Sequence, residues 1–345
     1  MGWYHAKQLL EGRVTGAKLT DIVEPFFLTT GKETQAGQDF ARWAAAAEAS
    51  GVRLHQFVAE VPVPQVPKLA VVCGRTVDNP QLVREAIDHG FSHIFLEKPG
   101  APTVKELEDL DAYAESKGVP VYMGFNRNFS KYILAAKEHL GTVPAGSSLL
   151  LVNKNSFDTS EALDECFERN SEGIIKNMMI HELVVLISHF GVSCDTVRDI
   201  VIDRNLTCME TRKGFSDMSK IGLSIVVKSG REFKIRLDRQ NGEVSEAAVM
   251  VNGEEAFRAS RPDPEIAKVA TEIEEAEPGI MPYFAMQDGE YIVLKQRVVD
   301  HMLHGQHGSV PDGVATLAGG IEGLRLADRI ATAAAAAARG RNQQL

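Results

Sequence analysis

From Leu19 to Gly124 the chain alternates short apolar runs with segments of helical period, and this alternation confines the fold more than any other feature. Leu19–Val23 (LTDIV) reads as a strand, Phe40–Ala49 as an alanine-rich helix closed by Gly51, and Val52–Phe57 as a second strand. Leu69–Cys73 (LAVVC) is a near-continuous apolar run ending in Gly74, the pattern of a strand buried on both faces. Helix Pro80–His89 stops at Gly90 and leads to strand Ser92–Leu96. Helix Val104–Lys117 then stops at Gly118 before strand Pro120–Gly124. Strand, helix and strand joined by short links are satisfied by a doubly wound parallel sheet with helices on both faces. The first domain is therefore expected to span residues 1–125.

The remainder, 126–345, changes character. Ser147–Asn153 reads as a strand and Ile174–Phe190 as an apolar helix closed by Gly191. Val197–Asp203, Ile221–Lys228, Glu232–Asp238 and Glu243–Val251 read as successive strands, with turns at Ser229-Gly230 and Asn241-Gly242. Asn-Gly is a strong hairpin signal. Helices at Gly289–Leu303 and Val314–Ala338 close the chain, with Ala333–Ala338 expected to fray. These elements make a mostly antiparallel open sheet with helices, an α+β domain. No internal repeat is visible.

Composition narrows the class. The 345 residues carry 37 basic and 47 acidic side chains, a net charge of -10, with no basic cluster to meet a nucleic-acid backbone. No apolar run reaches the roughly 18 residues of a bilayer span, and residues 1–5 lack the marks of a signal peptide. Nucleic acid and membrane are thus not expected partners. The four cysteines (73, 166, 194, 208) form no CxxC pair, which suits reduced thiols and a cytoplasmic location.

The residues that carry chemistry lie at predicted strand and helix ends. Glu97-Lys98-Pro99 follows strand Ser92–Leu96, and ligands of open α/β sheets sit outside the carboxyl ends of the strands. Gly124-Phe125-Asn126-Arg127 follows the next strand. Asn177 and His181, four apart, share one face of the apolar helix. His301, His304 and His307 invite a metal reading, but no carboxylate completes a set, and solvated helix-end histidines are the simpler account. No metal is expected.

In the order Gly2, Glu24, Gly74, Glu97-Lys98-Pro99, Asn126-Arg127, Gly173 and His181, with 83 residues between Lys98 and His181, the chain resembles the Gfo/Idh/MocA family of oxidoreductases. The resemblance implies a Rossmann-type doubly wound domain followed by an α+β domain whose open sheet supports a homodimer or homotetramer. It implies a reaction on a sugar, inositol or related polyol, interconverting alcohol and carbonyl with NAD, NADP being the alternative. It further implies that His181 is the general acid or base and that Lys98 orients and polarises the substrate oxygen, with Asn177 beside them. Family chains carry aspartate where Asn177 stands. Asparagine can hydrogen-bond a hydroxyl but cannot hold an imidazolium by charge, so a second reading, a non-catalytic dinucleotide sensor of the same fold, stays open.

Gly2 stands where the last glycine of the family's GxGxxG turn is expected, which implies a start at an internal methionine with roughly 10–20 preceding residues, about one strand and a turn. Glu24 lies 22 residues beyond Gly2, where an acid would bind the adenosine ribose and favour NAD; the other reading is a turn glutamate before Pro25. Gly74 and Glu97 are expected to line the cofactor, and Asn126 with them. Arg75 would meet the cofactor or face solvent, and Arg127 would reach either the cofactor ribose or the substrate. The bland alternatives are a solvated loop lysine for Lys98, a satisfied core histidine for His181 and a polar helix-start residue for Asn177.

Overall fold

The computed structural model describes residues 1–157, 159–169, 172–276, 280, 282–305 and 308–342. In chain order it runs α1 (Gly2–Leu10), β1 (Asp21–Val23), α2 (Gln35–Ala49), β2 (Arg53–His55), β3 (Leu69–Val72), α3 (Asn79–Asp88), β4 (His93–Leu96), α4 (Val104–Lys117) and β5 (Val121–Met123). There follow α5 (Lys131–Thr142), β6 (Ser148–Asn155), α6 (Ser160–Arg169), α7 (Ile180–Phe190), β7 (Val197–Arg212), β8 (Phe215–Val227) and β9 (Glu232–Asp238). Then come β10 (Glu243–Val251), β11 (Glu254–Arg261), α8 (Pro264–Ala276), α9 (Pro282–His304), β12 (Ala315–Thr316) and α10 (Leu317–Asn342). The chain divides into two compact units, Met1–Gly124 with Tyr291–Leu317, and Phe125–Glu290 with Ala318–Leu345. A single cut at 125/126 thus leaves out a returning segment. Lys295 and Gln296 of α9 explain that return: Lys295 hydrogen-bonds His5 of α1, and Gln296 accepts from the Thr15 amide at 2.8 Å.

In the first unit β3, β4 and β5 pair in parallel, with Leu69 opposite His93 and Ile94 opposite Val121. Their connections are helices, as parallel pairing demands. Ile94, Phe95 and Leu96 are each 0% exposed, so β4 is covered on both faces; such burial is worth about 1.5–3 kcal/mol per side chain. The connecting helix α4 begins at an N-cap threonine: the Thr103 hydroxyl accepts from the Glu106 amide and donates to the Glu106 carboxylate. Strand β12 adds antiparallel to β5. Strands β1 and β2 form a separate parallel pair, with Asp21 opposite Arg53. Among the described residues no ladder joins that pair to β3, so the parallel strands fall in two pieces rather than one sheet. Charge bridges them instead. Asp21, at the start of β1, accepts from Arg53, from His55 at 2.9 Å and from Lys68, the residue before β3.

The second unit is built on one six-stranded sheet of order β11-β10-β6-β9-β8-β7. All its pairings are antiparallel except β6 with β9. One face carries a core of Leu149, Leu151, Leu223, Ile235 and Val249, packed with α5, α7 and the Leu326–Ile330 turn of α10. Ser229-Gly230 makes the expected hairpin, since Val226 pairs with Glu232. Asn241-Gly242 does not: β6 lies between β9 and β10, paired with both. The turn is held at the end of β6 instead, where the Gly242 carbonyl accepts from the Ser156 amide at 3.1 Å. The real Asn-Gly hairpin is Asn252-Gly253, whose φ angles of 53° and 88° suit a tight twisted turn. It joins β10 to β11, an edge strand of charged and small residues with no apolar run in its sequence. The last helix continues as α-helix to Asn342, beyond the expected fraying point.

Candidate active site

In the first unit Glu97 leaves β4 at its carboxyl end and is 5% exposed. A buried carboxylate needs donors, and His5 of α1 supplies one, its Nε2 lying 2.9 Å from Glu97 Oε1. Lys295 Nζ donates to His5 Nδ1 at 3.0 Å and also to the Gln8 side chain. Accepting at Nδ1, the imidazole is neutral and carries its proton on Nε2, so it donates to Glu97. Burial, with Lys295 alongside, holds the His5 pKa below its ordinary value against the pull of Glu97. Gly124 closes the other side: a Cβ there would lie 2.6 Å from Glu97 Oε1. Lys98 follows Glu97, half-buried, and joins Pro99 through a cis bond. None of His5, Gln8 or Lys295 stood out in the sequence. The legible hint was a histidine and a lysine inside otherwise apolar helical faces.

The same unit offers the parts of a dinucleotide cradle. Helix α1 starts at Gly2 with no side-chain cap and no acid in its first turn, and a helix N-terminus favours an anion. Gly74 is exposed at the carboxyl end of β3. A Cβ on it would meet Leu82 at 2.5 Å and Asn79 Oδ1 at 3.0 Å, and that buried oxygen has no hydrogen-bond partner among the described residues. Glu24, at the end of β1, accepts from the Phe26 and Phe27 amides at 2.9 and 3.2 Å through one oxygen. Arg75 is 82% exposed and pairs with Asp78, the solvent-facing arrangement of its two readings. These residues fit a dinucleotide. Cys73, by contrast, is chemically quiet: burial and the nearby Glu97 carboxylate push its thiol pKa far up.

In the second unit His181 opens α7, 8% exposed, with the Phe125 ring edge-on at 5.9 Å. Asn177 lies just before it, half-buried, in a π-helical turn of five residues, Ile175–Met179, that the sequence did not announce. Such turns recur at functional sites. Asn126 is 0% exposed; its amide donates to Glu290 at 2.6 Å and to Gln287 at 3.0 Å. Arg127 is buried and pairs with Glu182, the neighbour of His181, while its Nε has no partner among the described residues. Burial raises the Glu182 pKa, and Arg127 opposes that rise. Glu290 also accepts from Ser130 and, at 2.8 Å, from Arg261. Arg127, Asn153, Met178, Ser245, Arg261 and Gln287 line an open groove. Glu182 and Glu290 went unread in the sequence, although a charge inside an apolar helix must find a partner. Among the described residues no cluster of three metal-ligating side chains occurs. His301 lies edge-on to Tyr122, and His307 lies outside the described residues.

Residues 32–125 match the family described as "Oxidoreductase family, NAD-binding Rossmann fold". That match covers about a quarter of the chain and agrees with the resemblance to the Gfo/Idh/MocA oxidoreductases that the motifs carry. It is 28% identical over 139 residues to the uncharacterized oxidoreductase YhhX of Escherichia coli, a match covering 40% of this chain and 39% of YhhX. The matched segment is thus about two-fifths of that relative's length. Solved members of this fold align over nearly the whole chain. A putative myo-inositol dehydrogenase from Sinorhizobium meliloti gives a TM-score of 0.69 at 18% identity, covering 96% of this chain and 94% of the other. The Lactobacillus casei scyllo-inositol dehydrogenase with bound NAD(H) and scyllo-inositol gives 0.70 at 15% identity, covering 96% and 93%. At those identities the likeness is one of fold: a Rossmann-type first domain with parallel strands, then a mostly antiparallel sheet domain.

Proposed function

We propose that this chain is a Gfo/Idh/MocA-type NAD-dependent dehydrogenase or reductase, with NADP as the alternative cofactor, that interconverts an alcohol and a carbonyl on a sugar, inositol or related polyol. The observation that carries the reading is Glu97-Lys98-Pro99 at the carboxyl end of a parallel strand buried from Ile94 to Leu96, where open α/β sheets bind their ligands. Gly2, Glu24 and Gly74 would hold the dinucleotide, which when bound supplies the hydride acceptor or donor. His181 takes the hydroxyl proton in oxidation and returns it in reduction, a task imidazole chemistry suits. Lys98 stabilises the charge that develops on the reacting oxygen. Asn177 hydrogen-bonds a substrate hydroxyl. Arg127 Nε and the Asn153 amide, both buried donors without partners among the described residues, support a substrate rich in acceptor oxygens.

The test is direct. A thermal-shift titration with NADH and NADPH reads cofactor binding, and nicotinamide absorbance with a polyol panel reads turnover. Cofactor binding with turnover that Lys98→Ala and His181→Ala each abolish is the expected result. Asn177 favours the second reading, a dinucleotide sensor, which requires tight NADH binding with no turnover across the panel. Turnover surviving both substitutions overturns the site assignment. A homodimer or homotetramer, read by light scattering, and a cytoplasmic location, supported by four free cysteines, complete the proposal.

A further inference from the structure

We propose that Asp217 and Arg239, an ion pair far from His181 in sequence with its guanidinium buried, are positioning residues that set the turn carrying Asn177 and His181. This rests on the catalytic reading of His181 above. Asp217 lies in β8 and Arg239 directly follows β9. The guanidinium is 1% exposed, donates from Nη1 to Asp217 Oδ2, and stands 5.7 Å from the centroid of the Phe167 ring of α6. The Arg239 backbone amide is itself anchored, donating to the Ser219 carbonyl at 2.9 Å.

The carboxylate so held does one further thing. Both its oxygens accept from the Ile174 amide, at 2.9 and 3.2 Å, and Oδ1 also accepts from the Met218 amide at 2.8 Å. Ile174, the second residue of a helical run that begins at Gly173, leads through the π turn Ile175–Met179 into α7. Gly173, just before it, has φ of 74°, and a Cβ there would lie 3.0 Å from Asp217 Oδ1. The corner is therefore pinned by a left-handed glycine, a bidentate acceptor from another strand and a buried cation behind that acceptor. A helix normally caps itself with its own Ser, Thr, Asp or Asn; here the flanking residues Gly173 and Ile174 offer no such side chain. Where Ile174 starts fixes where the π turn falls, and hence the register at which Asn177 and His181 leave the helix.

The experiment pairs Asp217→Asn with Arg239→Lys, each measured on the full chain. Asp217→Asn keeps an oxygen for the Ile174 amide but loses the charge that locks it to Arg239; Arg239→Lys keeps the charge and loses the planar fork. In either variant kcat falls by roughly 10- to 100-fold, as for a displaced catalytic group, while KM stays within about threefold. Amide hydrogen exchange accelerates at residues 174–181 more than at 183–190. A merely structural role predicts a lower melting temperature with unchanged kcat in the folded protein and uniform exchange, and either of those results overturns the proposal. If Asp217→Asn fails to fold, Arg239→Lys carries the test. If the parent binds NADH but turns over nothing, the catalytic reading fails separately, and exchange confined to 174–181 still supports the pinning, while uniform exchange refutes it.

Discussion

Substituting Gly124 by alanine probes the buried network that precedes Lys98. The new Cβ would sit 2.6 Å from Glu97 Oε1 and 2.8 Å from its Cδ. Ordinary carbon contact is about 3.5–4.0 Å, so one side must yield by close to an ångström, roughly 0.7–0.9 Å. The backbone is poorly placed to do so, because the Gly124 amide donates to the Leu96 carbonyl at 2.8 Å. The Glu97 carboxylate must move, and it carries a 2.9 Å bond to His5, which in turn accepts from Lys295. Overpacking costs about 1–3 kcal/mol, and weakening a buried bond to a charged group costs about 1.5–3 kcal/mol. With the two effects partly overlapping, about 3 kcal/mol is expected, which for a unit of this size lowers the melting temperature by roughly 6–12 °C. Differential scanning calorimetry of Gly124→Ala beside the parent measures it, and kcat measured well below the transition should fall roughly tenfold or more as Lys98 follows its neighbour. Combining Gly124→Ala with Glu97→Asp, one methylene shorter, should recover part of the melting loss. A single variant melting within about 1 °C of the parent would refute the reasoning, since the carboxylate would then be free to step aside.

Three further outcomes are expected. Arg127→Met leaves Glu182 buried without its cation, and because burial raises the Glu182 pKa in the folded state, the variant's deficit in melting temperature should grow as pH rises from 5 to 8 and shrink as the carboxyl keeps its proton; a pH-independent deficit argues against the pair. Burial alone would raise the Asp21 pKa, but donation from Arg53, Lys68 and His55 outweighs it and holds the carboxyl well below its ordinary value. The stability Asp21 contributes is therefore complete above the unfolded pKa of about 4 and drains as pH falls below it, and acid melts of Asp21→Asn should lack that slope. On the cofactor role proposed for it, Glu24 would repel a 2′-phosphate, so Glu24→Ala should lower the ratio of NADH to NADPH affinity by roughly tenfold; an unchanged ratio in parallel titrations would remove Glu24 from the cofactor's recognition.

What the sequence by itself determined are features with a local cause. The runs Leu69–Cys73 and Ser92–Leu96 declared parallel strands because apolar periodicity is written within a few residues, although the double burial expected of the first belongs to β4, and β3 buries only Val72; the helix bounded by Thr103 and Gly118 matched its expected range to the residue. The residues that carry the family resemblance were legible for the same reason, as short motifs at strand and helix ends. Tertiary structure alone decided what depends on which distant segments meet. Strand β6 separates β9 from β10, so an Asn241-Gly242 turn that looks like a hairpin is not one; which strands become neighbours depends on contacts between distant segments, not on turn chemistry. The partners of buried charges were equally hidden. Glu97 finds His5, Arg127 finds Glu182 and Arg239 finds Asp217 because a charge removed from water must be met by whatever the fold brings within reach, and a linear sequence does not rank those candidates. The π turn under Asn177 follows from the same cause, since Asp217, 43 residues beyond Ile174, settles where the helix starts.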